Sequence, residues 1–241
     1  MTLIDVRGIE HSYGTVPVLD DVSFGVRSET VTAIIGPNGS GKTTLLRLLA
    51  GLHEPTGGSI DDHTSDGVRR IGYLPQQPAF RPGFSVHETL SFYTSLVGAD
   101  DDEVIARLER VGLEQAVNLR VDDLSGGMTR LLGIAQATVG DPPLIVLDEP
   151  VSGLDPQMSL HVFDVISEIA ADGTTVVLSS HHLELVERTA DDVVLIDDGE
   201  VVAHGSPDEL RDELGVESLL EVYEGAVTGS ADAVRVRGEH A

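Results

Sequence analysis

Residues 30–51 read TVTAIIGPNGSGKTTLLRLLAG, and this stretch decides the fold. TVTAIIG (30–36) is a short apolar run, the signature of a buried strand. GPNGSGKT (36–43) matches the pattern G-x-x-x-x-G-K-[ST]. TTLLRLLAG then carries apolar residues at helical spacing and closes on Gly51. A strand, a glycine-rich turn and a helix are the context in which this pattern cradles phosphate. The turn Gly36, Pro37, Asn38, Gly39, Ser40, Gly41 lets backbone N–H groups curl around an anion, and the helix N-terminus adds partial positive charge. Lys42 supplies a mobile cation for the β- and γ-phosphates of a nucleoside triphosphate. The Thr43 hydroxyl is a ligand for Mg²⁺, and Thr44 belongs to the same binding turn. Lys42 is the only lysine in the chain; the other basic residues are arginines.

Downstream, LIVLDE (144–149) is an apolar strand ending in two carboxylates. A strand end beside the phosphate turn is where an open α/β sheet places reacting groups. Asp148 is expected to hold Mg²⁺, directly or through water. Glu149 is free to accept a proton from an attacking water.

The 241 residues suffice for one large domain or two small ones, and 41% are hydrophobic, enough for a sizeable core. Asp and Glu number 41 against 15 basic residues, a net charge of −26. That balance opposes binding to nucleic acid, and to anionic lipid by charge alone. An acidic excess with a single lysine resembles the cytosolic proteins of haloarchaea, whose carboxylate shell stays hydrated in molar salt. With no cysteine there are no disulfides or thiolate metal sites. The beginning, MTLIDVRGIEHSYG, does not read as a signal peptide, and no apolar run approaches the ~18 residues of a spanning helix. The expectation is a soluble, intracellular protein.

Strand-like runs surround the phosphate turn. IDVRG and VLDDVSFGV read as short strands, interrupted by Gly14 and Pro17. RRIGYLP (69–75), PLIVLDEP (143–150), TTVVLSS (174–180) and DDVVLID (191–197) follow the same logic. Helices are expected near 156–171 and 182–189, and helical spacing dominates from about Phe84 to Thr138. Alternating strands and helices imply a parallel sheet covered on both faces. DDGE (197–200) reads as a hairpin turn. Ser206, Pro207 and Glu209 read as a capped helix start.

LSGGM (124–128), at the head of a helix and upstream of the acidic strand, makes the pattern specific. In this order and spacing the motifs resemble the nucleotide-binding subunit of an ABC transporter, from about Leu3 to Val222. The resemblance implies an α/β P-loop NTPase sheet domain with an N-terminal antiparallel β part and an inserted helical subdomain. The ATP-binding domain would run over 1–225, with residues 84–138 as the helical part, and 226–241 as a polar tail. In that family two subunits clamp two ATP molecules head to tail. Each ATP lies between one subunit's phosphate turn and the other's signature loop, here Ser125, Gly126 and Gly127.

The same resemblance assigns further roles. Tyr13 matches the aromatic that stacks on adenine. Gln76, in preference to Gln77, matches the glutamine that senses Mg²⁺ and the attacking water. Asp155 in SGLD (152–155) matches the carboxylate of the loop at the dimer interface. In SSHH (179–182), His181 matches the switch histidine, and His182 begins the next helix. The family's usual glutamine after SGG is Met128 here, and the arginine common three residues later is Leu131, with Arg130 one position early. LSGGM occurs in exporter-type relatives, and SLLEVYEGAVTG (218–229) resembles the ending of ATPases that power ABC-2 type exporters.

The implied function is hydrolysis of ATP, with Mg²⁺, by a homodimer or heterodimer of such subunits at the cytoplasmic face of the membrane. A membrane-spanning partner on a separate chain would move the substrate, export being favoured over import. Coupling would run through the groove around residues 76–95. The competing reading is a soluble ATPase of the same fold acting on nucleic acid or the ribosome. Relatives of that kind carry coiled coils, zinc hooks or tandem cassettes; this sequence has one phosphate turn, no cysteine and no sustained heptads.

Overall fold

The computed structural model describes residues 1–64, 69–99 and 101–227. Two sheets organise it. The larger has six strands in the order β5-β6-β7-β3-β8-β9: Ile71–Leu74, Leu144–Leu147, Thr175–Ser179, Val31–Ile35, Asp192–Asp197 and Glu200–Gly205. Its first five strands are parallel, and β9 returns antiparallel from β8 through the turn at Asp198 and Gly199. The hairpin expected at DDGE (197–200) is present and makes β9 an antiparallel edge strand on an otherwise parallel sheet, since a connection of this length permits no crossover.

The smaller sheet has the antiparallel order β2-β1-β4, from Val16–Arg27, Thr2–Tyr13 and Gly57–Asp62. The two short strands expected at the start are in fact twelve residues each. Pro17 does not interrupt β2, because β2 lies at an edge, where a missing N–H costs no ladder bond. β4 has no counterpart in the sequence reading: four of the six residues of GGSIDD are Gly or Asp, disfavoured in strands, and pairing to β1 overrides that preference.

Every residue of β3, β6 and β7 is buried. Alternate residues serve opposite faces. Val31, Ala33, Ile35, Ile145, Leu147, Val176 and Leu178 join one core with α4 (Gly126–Thr138), α5 (Pro156–Ala171) and α6 (Leu183–Thr189). Ile34, Leu144, Val146, Val177, Val194 and Ile196 face the other way, onto α1 (Lys42–Leu49) and the inner faces of β1 and β2. The sheet is therefore covered on both faces, one by helices and the other by α1 and the smaller sheet.

Between β5 and β6 the chain forms α2 (Val86–Val97), α3 (Asp101–Arg110) and α4. Ser85 and Glu88 make a reciprocal capping box that starts α2. The same device, Ser206 with Glu209, starts α7 (Pro207–Leu214), and α8 (Leu219–Val227) packs Leu219 and Val222 beneath it. α8 continues through Gly225, where the tail was expected to begin; residues 228–241, including Thr228 and Gly229 of the exporter-like ending, lie outside the described residues.

Candidate functional site

The parallel strands β3, β6 and β7 end side by side, so the loops after Ile35, Leu147 and Ser179 converge. The loop after β3 turns tightly at Gly36. Its φ is +151°, and a Cβ there would stand 2.0 Å from the Ile196 carbonyl oxygen, so the backbone path admits only glycine. Gly41, at φ +103°, opens α1 with no side-chain cap. The first N–H groups of α1 therefore remain available to an anion. Lys42 curls back over the turn, its Nζ donating to the carbonyls of Gly36 at 2.7 Å and Pro37 at 2.9 Å. Burial lowers its pKa, against the pull of the Glu149 and Asp148 carboxylates.

The acidic strand end is held from two sides. Asp148 Oδ1 accepts from the Ser179 hydroxyl at 2.9 Å and from the Thr43 hydroxyl at 3.1 Å. Its Oδ2 is buried with no hydrogen-bond partner, and so is the hydroxyl of Ser40. The Glu149 N–H donates to Ser179 Oγ at 2.9 Å. Glu149 itself adopts φ +49°, an unusual conformation for a residue with a side chain. Its Oε2 lies 2.8 Å from His181 Nδ1. Burial lowers the His182 pKa, with His181 adding to the effect.

A cavity of 340 Å³ gathers Tyr13, Asn38, Gly39, Gly41, Lys42, Thr43, Thr44, Gln76 and Glu149. Tyr13 is at its rim, partly exposed and edge-on to His11 at a centroid distance of 4.9 Å. Gly36, Pro37, Ser40 and Asp148 do not line it, and His181 connects to it through its contact with Glu149. Gln77 does not line it. Val18 does, a contact that its place in an ordinary strand gives no reason to expect.

Ser125, Gly126 and Gly127 are not part of this cavity. Ser125 caps α4, its Oγ accepting from the Met128 N–H at 3.2 Å. Gly127 packs against Met158, which its Cβ would meet at 2.7 Å. Asp155 caps α5, accepting from the N–H groups of Gln157 and Met158 at 3.0 Å each. The signature loop and the SGLD loop thus form a second group of residues, separate from the phosphate turn.

Two residues of the site escaped the sequence reading. Ser179 orders both Asp148 and Glu149; its signal is a hydroxyl at the end of the strand next to the acidic one. Arg130 drew notice only as an arginine one position early, yet it is buried and donates to the Gln76 carbonyl at 2.5 Å.

The family described as ABC transporter matches residues 19–152. The Nod factor export ATP-binding protein I of Cupriavidus pinatubonensis is 35% identical, over 98% of this chain and 78% of its own length. The linearmycin resistance ATP-binding protein LnrL of Bacillus subtilis is 30% identical, over 91% of this chain and 74% of its own. A solved structure, described as an ATP binding subunit of an ABC transporter, superposes with a TM-score of 0.80 at 30% identity, covering 92% of this chain and 98% of that one.

Proposed function

The chain belongs to the ABC transporter family of ATP-hydrolysing subunits, and we propose that it works as one of a pair that clamps two MgATP and drives export through a separate membrane-spanning chain. The observation that carries this reading is the 340 Å³ cavity in which Lys42, Thr43, Gln76 and Glu149 meet. Lys42 and the N–H groups of the phosphate turn hold the triphosphate, and Tyr13 stacks on the base. The buried, unpartnered Asp148 Oδ2 beside the Thr43 hydroxyl fits a hard divalent cation, which takes oxygen donors. Bound Mg²⁺ would neutralise phosphate charge. Glu149 accepts the proton of the attacking water, Gln76 orients that water, and His181 positions the glutamate.

Ser125, Gly126 and Gly127 stand outside the cavity, so in this reading they close on the ATP of a second subunit, with Asp155 at the seam. Among the described residues no helix is long and apolar enough to cross a membrane. The transported substrate would therefore pass through a partner, and this chain would sit against that partner at the cytoplasmic face. Exposed Phe92 and Leu96, in the groove region reaching from Gln76, offer the partner an apolar contact. The names of the curated relatives, for export and for resistance, support outward transport. A net charge of −26 counts against the nucleic-acid alternative.

ATP titration of Lys42→Ala tests the assignment. Losing a charge-assisted contact in a desolvated site should cost ~2–3 kcal/mol, or roughly 30- to 150-fold in affinity. Unchanged affinity would remove the phosphate site.

A further inference from the structure

Arg130 is buried on α4, five residues beyond the cap Ser125. Buried guanidinium groups are rare and need partners. Arg130 finds them in two backbone carbonyls from two different loops. Nη1 donates to the Gln76 carbonyl at 2.5 Å, and Nη2 to the Ser152 carbonyl at 3.3 Å. Ser152 belongs to the turn that follows the acidic strand, and its own N–H donates to the Glu149 carbonyl at 3.1 Å. Two hydrogen bonds therefore lead from the Arg130 guanidinium to the backbone of Glu149, the residue held at positive φ. Asp148 and Glu149 also act electrostatically on Arg130, opposing the effect of its burial.

From this geometry we propose that Arg130 is a positioning residue: its planar fork locks the Gln76 loop and the Glu149–Ser152 turn to the helix headed by the signature loop. The inference rests on the reading of Glu149 as the base. The fork geometry suits the task, since two carbonyls at different angles are bridged by a guanidinium and not by a single ammonium. Arg130 touches no reacting atom in this scheme. It sets where Glu149 and Gln76 stand, so its removal should slow the chemical step and spare nucleotide binding.

The experiment pairs ATP titration and steady-state hydrolysis of the full chain with single-turnover hydrolysis of double variants. Arg130→Met keeps length and removes both donors. It should lower kcat by roughly tenfold or more while ATP affinity stays within about threefold. Arg130→Lys, reaching one carbonyl at a time, should recover part of the loss. Combined with Glu149→Gln, Arg130→Met should slow the remaining reaction less than it slows the parent, because one of the two groups it positions is already lost. Parental kcat in Arg130→Met, loss of affinity in proportion to rate, or multiplicative effects in the double variant would each overturn the role of Arg130. If Arg130→Met does not fold, Arg130→Lys decides alone: a threefold or larger fall in kcat at unchanged affinity and melting temperature supports the role, and parental kcat overturns it. Parental activity in Glu149→Gln by itself overturns the base assignment and this inference with it, and is distinguishable from additivity, which removes Arg130 only.

Discussion

His181 Nδ1 lies 2.8 Å from Glu149 Oε2, and the two residues leave neighbouring parallel strands at matching heights. Leu147 pairs with Leu178 in the register of β6 and β7, so the two loops emerge together. Sheet register, not local sequence, brings Glu149 and His181 within hydrogen-bonding distance. The histidine side chain is more than half exposed and the glutamate almost buried. One side of the pair is therefore anchored in the protein and the other faces solvent.

Glu149→Gln should separate binding from hydrolysis. The amide keeps the shape and an oxygen for the contact with His181 but cannot take a proton. Loss of a general base should lower kcat by about 10²- to 10⁴-fold, with ATP affinity nearly unchanged. Trapped ATP should hold two subunits together. Light scattering with ATP and Mg²⁺ is expected to report a dimer, and a monomer at high protein concentration would argue against a composite site.

Gly72→Ala should destabilise the fold without touching the nucleotide. A Cβ at Gly72 in β5 would stand 1.9 Å from the Ala137 carbonyl oxygen, because α4 lies directly on this strand. Backbone cannot move aside cheaply, so a cost of at least ~2 kcal/mol is expected. Gly225→Ala is the contrast: exposed in α8, with no atom within 4 Å of its Cβ, it should stabilise by about 0.5–1 kcal/mol. Thermal melting of both variants checks the pair, and equal melting temperatures would contradict the packing of α4 on β5.

The strand, turn and helix at 30–51 are legible in sequence because each step is local: apolar run, glycines, apolar periodicity. So are both carboxylates of LIVLDE. β4 is not, since its only reason to be extended is the edge of β1. Nor is the role of Arg130, which depends on two carbonyls 54 and 22 positions away in the chain. Motifs report the groups that touch substrate; contacts made by backbone carbonyls leave no mark on residue type.

The two capping boxes carry a pH signature. The Glu88 carboxylate accepts from the Ser85 N–H at 2.8 Å, and the Glu209 carboxylate from the Ser206 N–H at 2.9 Å. These backbone hydrogen bonds hold both carboxyls below the ordinary glutamate value of 4.5. A depressed folded-state pKa means that the unfolded chain binds the proton first. The contribution to stability is thus complete above the unfolded value and is lost as pH falls through the folded one. Carboxyl NMR titration should place both midpoints below those of solvent-exposed glutamates, and midpoints at or above them would contradict the boxes.

Salt is expected to favour this protein. Arg7, Arg27, Arg70, Arg107, Arg110 and Arg211 each pair with carboxylates, yet they can offset only a small part of the 41 acidic residues. Most of these pairs are substantially exposed, where an ion pair adds at most ~1 kcal/mol and is itself screened. Self-repulsion at net −26 therefore outweighs them in dilute buffer, and it also repels anionic MgATP. Raising the ionic strength from about 0.15 M to 1 M shortens the screening length from ~8 Å to ~3 Å. Long-range repulsion then fades, while contacts such as Lys42 with phosphate act within that distance. Melting temperature and ATPase rate should both rise from ~0.1 M towards molar KCl, opposite to the usual weakening of phosphate contacts by salt. A protein equally stable and active in dilute buffer would mean that its carboxylates are spaced widely enough for ordinary hydration to offset their repulsion; the ATPase assignment, which rests on the cavity and the family, would stand.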